Sequence, residues 1–328
     1  MKVSLHSIFS KLQTKILTEH NCYAADNIPF SDKHKMGISH EGFPIFFISS
    51  STISTLSSIK LDLISIQFNQ LCRLKLSNSG KPIENYYTIV ALQTGNVDYI
   101  NYFIDVVEVV LKKVGNSPTQ KQLHDEIQKL VDLFRCFNLP PQKTIQGLWA
   151  ELFIISRASN PEYLLKAWHS SVNDVYDFND GIDKIEVKST SKSHRIHRFS
   201  YNQLSPSEGS NLLISSIFVI PCGIGKNIFD LKEDIEGKIY SLELRYKLNE
   251  IILRTLGSEF EKAYDFYFDY QQAVDSCALI PSIHIPSLNG ENIPNEITNI
   301  HFDCDLSKIE ISDNIAAIYP HSKLFSSL

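Results

Sequence analysis

Between Val175 and Lys188 the chain reads Val-Tyr-Asp-Phe-Asn, Asp-Gly-Ile-Asp, Lys-Ile-Glu-Val-Lys. Asp180 to Asp183 are rich in turn formers, which predicts a hairpin. A four-residue loop pairs Asn179 with Lys184 and sets Asp177 opposite Glu186. A two-residue Gly181-Ile182 loop keeps the same register. Strand side chains alternate, so Asp177, Glu186 and Lys188 then share a face, and Tyr176, Phe178, Ile185 and Val187 take the other. An odd loop without a bulge would separate them. Directly opposed carboxylates have Cβ atoms about 4.5–5.5 Å apart and repel. A hard divalent cation, Mg²⁺ with Mn²⁺ as the alternative, removes that conflict. Such an ion polarises a phosphoryl oxygen and acidifies a bound water. Lys188 would orient or help deprotonate that water and stabilise developing negative charge. The expected chemistry is phosphodiester hydrolysis, with Asp177 and Glu186 as metal ligands.

Glu151 adds to the constellation. It is the only charged residue from Leu148 to Ile155, and a carboxylate in so apolar a helix needs a partner. A metal, a metal-bound water or Lys188 would serve; so, structurally, would Arg157. After Lys188 come Lys192, His194, Arg195, His197 and Arg198, with no acid until Glu208. Lys192, Arg195 and Arg198 are candidate phosphate contacts, which give affinity more than sequence choice. The alternative is an exposed basic loop. Gln203 opens the next helix and is placed to reach the same site. His169, His194 and His197 lack zinc-site spacing and read as surface residues. Tyr264-Asp-Phe266 repeats Tyr176-Asp-Phe178 without a following E-x-K, so Asp265 and Asp269 are not expected to be catalytic; Tyr264–Tyr270 reads as a strand.

The elements that must position these residues follow Pro140-Pro141, the clearest boundary in the chain. The expected order is a helix at Gln142–Arg157, strands at Leu165–His169, Val175–Phe178 and Lys184–Ser189, a short helix around Tyr201–Ser207 and a buried strand at Asn211–Pro221. That order implies a mixed sheet with helices packed on it. Before the boundary, Phe43–Ser49, Leu61–Leu76 and Tyr86–Leu92 read as strands and Asp98–Lys113 and Thr119–Phe137 as helices. After it, an amphipathic helix is expected near Ile235–Leu256. This gives an α/β fold in three parts: an N-terminal α+β region (1–140), a core (141–222) and a C-terminal α+β extension (223–328). The 31 basic and 37 acidic residues leave a net charge of −6, which argues against a free-standing basic nucleic-acid binder but leaves room for a local basic patch. The six cysteines form no CxxC pair, which fits a reducing cytoplasm. No signal peptide or membrane-length apolar run is evident.

Gly147-Leu-Trp-Ala-Glu-Leu152, Tyr176-Asp-Phe178, Ile185-Glu-Val-Lys-Ser189 and Gln203-Leu204 together resemble a bacterial PD-(D/E)XK-type family met in restriction or phage-defence gene clusters. The resemblance implies a restriction-endonuclease-like core, Mg²⁺ dependence, nucleic acid, most directly DNA, as substrate, and companion proteins such as an ATPase or a methyltransferase. Two departures stand out: Tyr176 precedes the aspartate where the motif has proline, and Ala150 sits where a second glycine is common. Neither removes a ligand. The function expected is a metal-dependent DNA endonuclease, with Asp177, Glu186, Lys188, Glu151 and Gln203 at the site and Glu151 as a third ligand. The rivals are a nuclease-fold assembly or binding subunit of a defence complex, and a hydrolase of another phosphate ester. Oligomeric state is open.

Overall fold

The structure is a computed structural model that describes residues 4–15, 22–50, 57–77, 79, 81–169, 174–207, 209–288, 294, 297–309, 311 and 315–328. Glu208, expected to end the basic run, lies outside them. The chain divides into two units, residues 1–138 and 139–328.

The first unit is built on α1 (Leu5–Gln13), β1 (Tyr23–Ile28), β2 (Ser31–Ile38), β3 (Pro44–Ile48), β4 (Ile59–Lys60), β5 (Ile64–Leu76), β6 (Ile83–Leu92), α2 (Val97–Val114) and α3 (Gln120–Arg135). Its sheet order is β1-β2-β3-β6-β5-β4, and β1 also pairs in parallel with β5. The ring β1-β2-β3-β6-β5 therefore closes on itself. Ala25, Ile45, Phe47, Cys72, Leu74, Tyr87, Ile89 and Ala91 form one buried cluster of this unit. The 13-residue β5 accommodates the curvature through a register shift between Gln67 and Gln70, where Asn69 takes a positive φ of 52°. Asparagine tolerates that left-handed conformation better than most residues. The strands over Phe43–Ser49, Leu61–Leu76 and Tyr86–Leu92 and both helices form as expected, with ends moved by one to three residues. The ring closure has no local signature.

The second unit contains α4 (Ile145–Arg157), α5 (Pro161–Ala167), β7 (Phe178–Asn179), β8 (Asp183–Thr190), β9 (Ile196–Ser200), β10 (Asn211–Phe218), β11 (Pro221–Cys222), α6 (Ile228–Glu236), α7 (Leu242–Leu256), α8 (Lys262–Asp265), β12 (Tyr267–Phe268), α9 (Tyr270–Ser276), β13 (Ala278–Pro281), β14 (His301–Asp305), α10 (Ile315–Ile318) and α11 (Lys323–Ser326). Its main sheet has the order β13-β10-β8-β7. β8 and β10 run parallel, with Ile185 beside Leu213 and Glu186 beside Ile214, while the outer strands run antiparallel. β10 is Leu-Leu-Ile-Ser-Ser-Ile in its middle and almost fully buried, as a parallel strand covered on both faces should be.

α4 packs against β8, α5, α6 and α7. It buries Leu148 through Ser156 without a break; a helix apolar all round has to be interior. The other face of the sheet is closed by a cluster that includes Tyr176, Phe199, Leu204, Leu212, Ile214, Ile280 and Leu306, under a ribbon of β9 and β14. Both the mixed sheet and its flanking helices match the expected class. No helix among the described residues is long and apolar enough to cross a membrane, and all six cysteines are free.

Four local expectations fail. Leu165–His169 is not a strand: α5 runs through Ala167, started by Asn160 as N-cap and Pro161 in the first turn, and only Trp168 bridges to Phe178. Val175–Phe178 shortens to a two-residue strand at Phe178. The long helix near Ile235–Leu256 is two, broken after Glu236, with Ser241 capping α7. Tyr264–Tyr270 is a helical turn and a two-residue strand, because Tyr264 stacks flat on Phe229 at 3.6 Å and Asp269 turns to cap α9.

Candidate metal and nuclease site

The hairpin between β7 and β8 has the even-loop register: Phe178 faces Ile185 and Asn179 faces Lys184. Its turn is set by Asp180, whose Oδ1 accepts from the Ile182 and Asp183 amides at 3.1 and 2.8 Å, and by Gly181 at φ +99°. The ladder then stops one residue early. Asp177 leaves the strand, and its Oδ2 accepts from the Val187 amide at 2.8 Å. On this outer edge a side-chain oxygen stands in for a backbone carbonyl. Asp177 and Glu186 are therefore not a strict cross-strand pair. Tyr176 moves with this bend to the Leu212–Ile214 side of the sheet, the side of Glu186, and not to the side of Ile185 as the alternation implied.

The carboxylates meet around a residue that no motif marked. Lys143, two positions before α4, places its Nζ 2.6 Å from Glu151 Oε1 and 2.6 Å from Asp177 Oδ1. Glu151 points into the cluster at 2 % exposure. Its Oε2 accepts from Trp168 Nε1 at 2.7 Å and lies 3.0 Å from His169 Nε2. Its partners are thus Lys143, Trp168 and His169, not Lys188 or Arg157. His169 and His197 are not surface residues: the first packs beside Glu151, and the second is buried with Nε2 2.7 Å from Ser216 Oγ. His194 is exposed.

The E-x-K pair forms a second knot. Lys188 Nζ lies 2.8 Å from Glu186 Oε1 and donates to Gln203 Oε1 at 3.2 Å. Gln203 Nε2 donates to the same Glu186 oxygen at 2.6 Å. Gln203 is itself held by a capping box with Ser200 at the start of the 3-10 turn Tyr201–Leu204. Lys188 also lies 5.0 Å from the centre of the Phe199 ring. One glutamine thus fixes both side chains of the pair.

Electrostatics couple the two knots. Burial raises Glu186 to about 8, and the Asp177 charge adds to that, partly offset by Lys188. Burial also raises Asp177, with the Glu151 charge adding to it against Lys143 and the Val187 amide. Burial alone would raise Glu151, but the His169 hydrogen bond and the Lys143 charge bring it below its ordinary value. Burial works against the Lys143 ammonium, yet Asp177 and Glu151 together raise it. Three buried carboxyls facing two ammonium groups share charge in this way because isolated buried ions are costly.

Glu151, His169 and Asp177 each offer a ligand atom within 4.8 Å of the others. Carboxylate oxygens with one imidazole form a donor set that divalent ions accept, so these residues fit a metal. Glu186 is not in that set. Of the basic residues, Lys192 and Arg198 are exposed. Arg195 is not: its guanidinium turns inward and donates to the Ser216 carbonyl at 2.7 Å, to Ser216 Oγ at 2.9 Å and to the Ser276 carbonyl. It ties β9 to the sheet and is spent as a phosphate contact. Asp265 is exposed and Asp269 caps α9, so neither joins the site.

The profile of the family described as "Putative PD-(D/E)XK family member, (DUF4420)" matches residues 9–307. The chain belongs to this family. Comparison with curated proteins and with solved structures finds no significant match. The family match takes in all of the site, and with it both units almost entirely. Sequence reading missed Lys143 and His169. Lys143 follows a Pro-Pro break and looks like a loop lysine, and five residues separate His169 from the motif that starts at Val175. A buried Glu151 in search of a cation was the only signal toward Lys143.

Proposed function

We propose that this chain is a divalent-metal-dependent nuclease acting on DNA, with a restriction-endonuclease-like core formed by the β13-β10-β8-β7 sheet and α4. The observation that carries the reading is the pairing of a helix carboxylate (Glu151) and a strand-edge carboxylate (Asp177) on Lys143, with a clamped E-x-K pair (Glu186, Lys188) coupled to it electrostatically through Asp177. Membership of the PD-(D/E)XK-type family supports it. Glu151, Asp177 and His169 would hold the ion, with Glu186 as the adjoining carboxylate. When bound, Mg²⁺ or Mn²⁺ supplies Lewis-acid polarisation of a phosphoryl oxygen and an acidified water. Lys188, oriented by Gln203 and Glu186, donates to negative charge developing on the phosphate. Lys192 and Arg198 bind flanking phosphates. Free thiols fit action in a reducing cytoplasm, and a companion ATPase or methyltransferase in a bacterial defence system belongs to the same proposal.

The test is cleavage of double-stranded DNA, single-stranded DNA and RNA with Mg²⁺ or Mn²⁺, by wild type and by Glu186→Gln. Metal-dependent cuts by wild type alone support the reading. Hydrolysis of nucleotides but of no polymer would favour the phosphate-ester rival.

One observation favours a second reading, that of an assembly subunit. Lys143 already bridges Glu151 and Asp177 and His169 packs beside Glu151, so the carboxylates have ion partners within the chain itself. No heat of binding on titration with Mg²⁺ or Mn²⁺, together with no cleavage, selects that reading.

A further inference from the structure

The position of Lys143 bears on how a metal enters. Its ammonium sits between one oxygen of Glu151 and one oxygen of Asp177, 2.6 Å from each. Those two carboxylates, with His169, are the donors that gather within 4.8 Å. A hard divalent ion binds carboxylate oxygens more closely still, at about 2.0–2.6 Å. The ammonium and the ion thus need the same oxygens, and like charges at such separation repel.

Lys143 is also the partner with a route to solvent. It lies in the turn before the Thr144 cap of α4, outside the helix. Its side chain is 32 % exposed, against 3 % and 9 % for its two partners. The Gln142 amide donates to the Thr255 carbonyl at 2.9 Å, so the backbone is pinned while the side chain reaches out. A lysine has four rotatable bonds and a head that water solvates well, whereas Glu151 and Asp177 are held by Trp168 and by the Val187 amide.

We propose that Lys143 is the resident cation of the Glu151–Asp177 carboxylates, and that a divalent metal loads this site by displacing it. The inference rests on the metal reading of the site. It adds that metal loading is an exchange of cations, not the filling of an open position. Lys143 keeps the two buried carboxylates apart from each other's repulsion before loading, and weakens apparent metal affinity by the same competition. It also sets a selectivity: monovalent ions gain too little from these two oxygens to replace an ammonium already there.

The experiment is calorimetric titration of the full chain with Mn²⁺ in the absence of nucleic acid, for wild type, Lys143→Gln and Lys143→Arg. The Gln variant is expected to bind Mn²⁺ on the order of tenfold more tightly than wild type, about 1.4 kcal/mol. The Arg variant is expected to bind no more tightly than wild type. Equal or weaker binding by Lys143→Gln overturns the exchange while leaving the metal site standing. Binding by none of the three overturns the metal reading and the exchange with it. Should Lys143→Gln fail to fold, crystal structures of wild type grown with Mn²⁺ and with chelator decide. The ammonium should leave both carboxylates in the first. Its retention between them, with Mn²⁺ bound, overturns the proposal.

Discussion

Replacing Asp177 by Asn separates a structural role from a metal-binding one. The carboxylate receives two contacts, from Lys143 at 2.6 Å and the Val187 amide at 2.8 Å. The amide oxygen of Asn keeps the Val187 bond. What is lost is one charge-assisted hydrogen bond, worth about 1.5–3 kcal/mol. Set against it is the cost of keeping a fully buried carboxylate charged beside Glu151, which burial and that neighbour already oppose, and which is of similar size, several kcal/mol before compensation. Lys143 remains paired with Glu151, so no ion is orphaned. The two effects nearly cancel, and metal-free stability should change by about 1 kcal/mol or less, a melting shift of about 2–4 °C at most for a unit of this size. Metal binding responds differently. At Mn²⁺ concentrations about a hundred times the dissociation constant, wild type gains about 2.7 kcal/mol. Asp177→Asn should lose most of that gain, since a neutral amide is a poorer ligand for a hard cation. The assay is thermal melting with and without 10-fold steps of Mn²⁺, alongside DNA cleavage. An Asn variant that keeps the full metal-induced shift and full cleavage would refute the assignment of Asp177. A variant that melts many degrees lower without metal would show its role to be structural.

Three further outcomes follow from the same geometry. Burial and the Asp177 charge raise Glu186 to about 8, so a cation bound beside it at Glu151, Asp177 and His169 should favour its ionised form and release its proton. Mn²⁺ affinity should therefore rise with pH up to about 8 and level off, with proton uptake or release measured by titration in buffers of different ionisation heat; a flat profile from pH 6 to 9 counts against it. His197 is lowered to about 4 by burial, then by Lys188 and Arg195. Its folded value lies below its unfolded one, so the unfolded chain binds more protons between about pH 4 and 6.5, and stability is lost as pH falls through that window, by on the order of 3 kcal/mol in all. Denaturant melts of His197→Gln should show that slope reduced, and an unchanged slope would exclude His197 as its source. Arg195→Ala should cost about 2–4 kcal/mol in denaturant melts, because it leaves the Ser216 and Ser276 carbonyls without their donor. Normal stability with weakened DNA binding would return Arg195 to the phosphate-contact role.

Sequence alone was enough for the hairpin, α4 and Gln203, where local period and turn chemistry act unopposed, but not for Leu165–His169 or the break within Ile235–Leu256. The hairpin register at Asn179 and Lys184 follows from an even loop of Asp, Gly and Ile, because strand side chains alternate with a period of two. α4 was legible from its apolar run, and the lone Glu151 within it announced a partner, because a buried charge is not left unpaired. Gln203 was placed near the site by its closeness in sequence, and the capping box that seats it is also local. The identity of Glu151's partners was not legible. Trp168 and His169 are 17 and 18 positions away and reach it only when α5 turns the chain back beside α4, and Lys143, 8 positions away, reaches it from the turn before α4, where no helical period marks it. The fate of Arg195 was hidden for the same reason, since the carbonyls it serves lie 21 and 81 positions away. Asp177 leaving its strand for the Val187 amide was equally invisible: a sheet edge is defined by which strand does not arrive, and β7 is an edge only in the assembled order β13-β10-β8-β7. Residue type and spacing could say which groups carry charge. Only tertiary packing could decide which charges are buried together, and burial is what makes their mutual pairing strong enough to shape the site.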